Sequence, residues 1–98
     1  MQKDLIAVSE FCILQNVDIS FIHSLDEYGL IEITTIDETG FLQANQLSEV
    51  ERMTRLHRDL KINLEGIEAI NHLIEKIKIM QDEINALKNR LHLYETGK

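Results

Sequence analysis

Apolar residues recur in alternating steps of three and four between Ile70 and Tyr94: Ile70, Leu73, Ile77, Met80, Ile84, Leu87, Leu91 and Tyr94. Such spacing lays the side chains along one stripe of an α-helix. The seven-residue repeat puts Ile70, Ile77, Ile84 and Leu91 at a positions and Leu73, Met80, Leu87 and Tyr94 at d. Four unbroken heptads predict a coiled-coil seam. A helix running from Gly66 to Gly97 would be roughly 45 Å long at about 1.5 Å per residue, too long for a small preceding domain to cover. The seam is therefore expected to bury itself against a second copy of the chain or another protein.

Ahead of the seam the period changes repeatedly. Leu5, Ile6 and Val8 favour a short strand ending at Ala7 or Val8. Ser9 fits a helix N-cap, Glu10 suits the positive end of the dipole, and a first helix is expected over about 9–15. Phe11, Cys12, Ile13 and Leu14 give it a wide apolar face, and Asn16-Val17 reads as its stop. Asp18 or Ser20 then caps a second helix with Ile19, Ile22 and Leu25 inward, ending before Tyr28-Gly29. Two short helices joined by a tight turn predict a helix-turn-helix. Leu30, Ile31, Ile33, Thr34, Thr35 and Ile36 form a β-favouring run, Asp37 to Gly40 has turn chemistry, and Phe41-Leu42-Gln43 returns as a second strand, making a hairpin wing. Asn45 or Ser48 caps a third helix through about Leu60, with Leu47, Val50, Met53, Thr54, His57 and Leu60 along its inner stripe. Lys61 to Leu64 is the break before the long helix, with Gly66 in its first turn and Ile67 as an early inward contact. The expected fold is mostly α: a winged helix-turn-helix head over residues 1–63, followed by a long C-terminal dimerisation helix, a coiled coil, over 64–98.

Composition narrows the class. Ninety-eight residues, 44% of them hydrophobic, suffice for one small domain plus an extended helix. The single cysteine, Cys12, rules out an intramolecular disulfide, and no export leader is visible, so a cytoplasmic protein is expected. No apolar run approaches the roughly 20 residues that span a bilayer. Charge is unevenly placed. Residues 1–51 hold ten acids against the one base Lys3, a charge of −9, whereas the remainder holds nine bases and seven acids, +2. An acidic head repels phosphate backbones and attracts basic protein surfaces over about a Debye length, roughly 8 Å at physiological salt.

Candidate chemistry adds little. Cys12 lies among apolar neighbours, where a buried, inert thiol is expected. His23, His57, His72 and His92 share no ligand spacing with one another or with Cys12, and Glu68 with His72 alone does not make a metal site. No catalytic triad, phosphate loop or paired-carboxylate pattern stands out, so neither an enzyme nor a cofactor is expected. Arg52, Arg55 and Arg58 form a basic stripe, with Glu51 placed to pair Arg55 within the helix. Lys76, Glu83, Lys88, Arg90 and Glu95 flank the seam at e and g positions and are expected only to tune association.

The order of elements resembles the MerR-like regulators over the whole chain. Within that superfamily, Val8-Ser9-Glu10-Phe11-Cys12, Gly29-Leu30-Ile31, Arg55-Leu56-His57-Arg58-Asp59-Leu60 and Leu64-Glu65-Gly66-Ile67, in this order, carry a closer resemblance, to the chaperone modulator CbpM family. It implies a noncatalytic modulator that binds the J-domain of a CbpA-like co-chaperone and restrains its stimulation of DnaK, with dimer helices paired antiparallel. J-domains present a basic helical face, which suits the acidity read from the sequence. DNA-reading MerR proteins usually carry Arg-Tyr-Tyr-Glu-like and Gly-Tyr-Arg-Tyr-like segments. Here the matching stretches are Ile22 to Tyr28 and Gly40 to Gln43; both arginines are missing, and Asp26 and Glu27 stand near the expected duplex. Nucleic-acid binding is therefore not expected, and a dimeric MerR-like transcription regulator is the alternative. The expected partner surface comprises Asp18, His23, Asp26, Glu27 and Tyr28, with Glu10 as a further exposed acid.

Overall fold

A computed structural model describes residues 4–96. The elements run β1 (Leu5–Ala7), α1 (Val8–Gln15), α2 (Ile19–Glu27), β2 (Thr34–Ile36), β3 (Thr39–Gln43), a 3-10 turn (Ala44–Gln46), α3 (Leu47–Leu60) and α4 (Leu64–Thr96). The chain divides into two compact units between Ile67 and Glu68.

In the first unit the strands form an antiparallel sheet in the order β1-β3-β2. Ile6 pairs with Leu42 across β1 and β3, and Thr35 with Gly40 across β2 and β3. The wing turns in two residues rather than four: Asp37 and Glu38 both take left-handed backbone, with φ of 52° and 65°. That geometry matches the right-handed twist of the flanking strands, so β3 begins at Thr39 and absorbs Gly40.

The core joins all three layers of this unit. Val8, Phe11 and Cys12 of α1, Phe21, Ile22 and Leu25 of α2, Leu42 of β3, and Val50 and Met53 of α3 close around Ile67. Phe21 also stacks on His57 with ring centroids 4.1 Å apart and planes 10° from parallel, tying α2 to α3. Several expected inward positions face out: Ile13 and Leu14 of α1, Ile19 of α2 and Leu60 of α3 are exposed. On each helix the neighbouring turn already fills the core. α1 buries Phe11 and Cys12, so the next two residues rotate away from it, while α2 buries Phe21 in place of Ile19.

The expected helix starts also shift. Ala7, not Ser9, is the α1 N-cap, because the chain passes from β1 into the helix with no intervening residue. Asp18 occupies the α2 N-cap and Gln46 the α3 N-cap, displacing Ser20 from the first role and Asn45 and Ser48 from the second; neither makes a side-chain capping bond. The side-chain cap lies at α4, where Asn63 Oδ1 accepts from the Gly66 N–H at 2.8 Å. A Cβ at Gly66 would stand 2.7 Å from Ile62 Cγ2, so glycine permits this close entry. The helices stop as expected at Asn16 and Lys61, both left-handed, and at Tyr28-Gly29, where Gly29 has φ of 79°.

In the second unit α4 continues as one helix to Thr96. Among the described residues no helix is long and apolar enough to cross a membrane.

Candidate functional site

Helix α2 presents a narrow outward face. The buried line Phe21, Ile22 and Leu25 leaves Ile19, Ser20, His23 and Glu27 on the solvent side, at the spacing of successive helical turns. Of the five residues expected to meet a partner, Asp18, His23, Glu27 and Tyr28 are exposed.

Asp26 is different. It is half-buried, and its Oδ1 accepts a hydrogen bond from the Ile33 N–H at 3.3 Å, so its carboxylate secures the loop between α2 and the wing. Tyr28 is exposed but engaged, its hydroxyl donating to Glu65 Oε2 at 3.0 Å in the first turn of α4. The acidic front is thus sparser on α2 than the sequence reading implies.

The wing tip carries two further acids outside the expected partner surface. Asp37 and Glu38 are exposed there on consecutive left-handed residues, and β-turn chemistry alone gave no reason to count them as partner contacts. At the wing base Gln46, with its amide oriented to satisfy both bonds, donates to the Glu32 carbonyl and accepts from the Glu32 N–H, each at 3.0 Å.

The basic stripe of α3 is partly occupied. The expected Glu51–Arg55 ion pair is not formed among the described residues. Asp59 instead draws the neighbouring cations: Arg58 Nε lies 2.9 Å from its Oδ1, and Arg55 and Lys61 act on it through charge. The bond from Arg58, reinforced by those charges, holds the Asp59 carboxyl below its ordinary range even though partial desolvation opposes the shift. Cys12 is buried, and burial, followed by the charge of Asp18, pushes its thiol above the usual value. Among the described residues no group of three or more His, Cys, Asp or Glu side chains stands in a metal-binding arrangement.

Along α4, Ile70 is half-buried, and the other seam residues are exposed within the single chain, from 46% for Ile84 to 89% for Tyr94. The aliphatics at coiled-coil spacing thus form a contiguous stripe left uncovered within the single chain.

A winged helix-turn-helix head leading into a long helix with an open apolar seam defines a helix-turn-helix regulatory protein. The family model for MerR HTH family regulatory proteins matches residues 6–89, and the chain belongs to that family. A comparison with curated proteins finds no match, and a comparison with solved structures finds none either.

Proposed function

We propose that this MerR-family protein is a noncatalytic modulator that acts on another protein rather than on an operator. In this reading the chain pairs through the α4 seam, and each acidic head engages the basic helical face of the J-domain of a CbpA-like co-chaperone, occluding the surface that J-domain offers to DnaK. The observation that carries the reading is the charge of residues 1–51, ten acids against one base, including Glu27 on the open face of α2 and Asp37 and Glu38 at the wing tip. A duplex docked on that surface would meet carboxylates where phosphate neutralisation supplies affinity. A cationic helix would find complementary charge there.

Titration of the purified J-domain of the cognate co-chaperone at low salt tests the proposal. Saturable binding that weakens with Glu27→Lys, while helical content stays constant, is the expected result. Absence of binding at low salt, where attraction is strongest, sinks the proposal. The competing reading, a dimeric DNA-binding regulator, follows from membership of the family itself. Tight binding to a specific duplex at physiological salt, together with indifference to the J-domain, would establish it.

A further inference from the structure

The uncovered stripe of α4 and the charges beside it together select a direction for the helix that covers it. Three of the four a positions hold isoleucine, at Ile70, Ile77 and Ile84, whereas the d positions hold Leu73, Met80, Leu87 and Tyr94 and no β-branched residue. In parallel coiled coils that division favours two strands; isoleucine at d shifts the preference to three or four.

The flanking charges are available to a second helix. Glu83, Lys88, Arg90 and Glu95 are exposed, and among the described residues none of them forms an ion pair within the chain. In a parallel, in-register pair each g residue faces the e residue five places further on in the other copy. Glu83 then meets Lys88 and Arg90 meets Glu95, each twice by symmetry, while Lys76 meets the uncharged Gln81 and Ala69 meets Ile74. Every charged contact is attractive.

An antiparallel pair with the seam in full overlap sets Ile70 against Tyr94 and Ile77 against Leu87, and g residues then face g residues. Lys76 meets Arg90 twice, and Glu83 meets its own copy. Every charged contact of this kind is repulsive. Sliding the antiparallel pair by one heptad recovers an attraction, Lys76 with Glu83 one way or Glu83 with Arg90 the other, but takes Leu91 and Tyr94 or Ile70 and Leu73 out of the seam. The parallel register alone keeps both the full seam and the favourable charges.

We propose that α4 pairs with α4 of a second copy as a parallel, in-register, two-stranded coiled coil over Ile70 to Tyr94, its direction set by the contacts of Glu83 with Lys88 and of Arg90 with Glu95. The proposal rests on the pairing through α4 in the functional reading above and departs from the antiparallel arrangement that the resemblance to CbpM-like proteins implies. Both α4 N-termini then lie at one end of the pair, so the two heads are joined to the same end.

Light scattering and pulsed dipolar EPR on the full chain test it. Glu68→Cys places a nitroxide at an exposed f position near the start of α4; Cys12 is buried, and the unsubstituted chain carried through the same labelling supplies the background. A dimer with a label separation under about 30 Å is expected, from a helix spacing of about 8–10 Å plus the label arms. Antiparallel pairing in full overlap instead sets residue 68 against residue 96 of the other copy, roughly 42 Å away along the axis at about 1.5 Å per residue. Arg90→Glu should weaken the dimer about fivefold by turning two exposed attractions into repulsions, and adding Glu95→Arg should restore it. In the full-overlap antiparallel pair Arg90→Glu would face Lys76 and tighten the dimer. A dimer with the longer separation, a dimer tightened by Arg90→Glu, or a trimer or tetramer overturns the proposal while leaving pairing through α4 intact. A monomer at micromolar concentration overturns both.

Discussion

Asp26 joins a place in the expected partner surface to a bond within the fold, and substitutions that differ in what they remove separate the two. Its Oδ1 accepts from the half-buried Ile33 N–H at 3.3 Å, fixing the loop that carries the chain from α2 into the wing. Asp26→Ala leaves that donor without its acceptor. An orphaned buried donor costs about 1–3 kcal/mol, and partial access to water together with the long bond puts this case near the lower end, about 1 kcal/mol. For a chain of this size that corresponds to a fall in Tm of about 4–8 °C. Asp26→Asn keeps an oxygen acceptor in the same place and removes only the charge, so its melting should stay close to the unsubstituted protein's. Thermal unfolding by circular dichroism gives the first readout, and J-domain titration of the Asn variant gives the second. If Asp26 is a partner contact, the Asn variant should bind less tightly while melting normally. Melting of Asp26→Ala indistinguishable from that of the unsubstituted protein would refute the structural role, and equal destabilisation by Ala and Asn would show that the charge, not the acceptor, matters to the fold.

Other outcomes are expected at five positions. Asn63→Ala should lower stability by about 1 kcal/mol through loss of the α4 cap, and Gly66→Ala should also destabilise in chemical unfolding, because its Cβ would meet Ile62 Cγ2 at 2.7 Å despite alanine's better helix propensity. Thr54 is fully buried and its hydroxyl has no hydrogen-bond partner among the described residues, so Thr54→Val should raise the urea midpoint, with a gain of about 1 kcal/mol. Ile84→Asp places a carboxylate in the seam and should give a monomer by light scattering at micromolar concentration, whereas the unsubstituted chain should scatter as a dimer. The folded Cys12 thiol titrates above its ordinary 9.0, so its contribution is intact below that pH and is lost as pH rises from there through the folded value. Melting temperatures taken on either side of 9.0 should therefore fall more steeply in the unsubstituted protein than in Cys12→Ala.

The fold was legible in the sequence wherever a period ran long enough to average out single residues. The seam from Ile70 to Tyr94 lies on one continuous helix, and the helix stops at Asn16, Tyr28-Gly29 and Lys61 follow from residues that tolerate or require the end geometry. Short elements resisted the same reasoning. α1 has eight residues with four consecutive apolar side chains from Phe11 to Leu14, so hydrophobicity alone could not say that Phe11 and Cys12 turn inward while Ile13 and Leu14 turn out. Caps were misplaced for a related reason. Ser9, Ser20, Asn45 and Ser48 are all competent capping residues, but the strand-to-helix junction at Ala7 and the 3-10 turn before Leu47 fixed the helix starts elsewhere, and the side-chain cap fell to Asn63. At the candidate surface, exposure of Glu27 and His23 followed from helical spacing. The bond from Ile33 to Asp26, the tie from Tyr28 to Glu65 and the wing-tip acids depend on a loop path that no local pattern encodes.

The residues that make this a MerR-type head and those proposed to meet a partner are largely separate sets. Ile22, Leu25, Leu42, Val50, Met53 and Ile67 are fully buried and define the scaffold, while Ser20, His23 and Glu27 on α2 and Asp37 and Glu38 on the wing contribute nothing to that core. A winged helix-turn-helix can therefore reverse the sign of its exposed face at little cost in stability, since surface charges change folding energies by less than about 0.5 kcal/mol each. Salt dependence alone does not distinguish the outcomes, because DNA and a basic J-domain would both be released as ionic strength rises. Direction does. Glu27→Lys adds positive charge to the outward face of α2 without touching the core, so it should strengthen any residual attraction to a duplex and weaken attraction to a cationic helix. Damage to the fold would lower both affinities together, so opposite movement of the two identifies the chemistry of the partner.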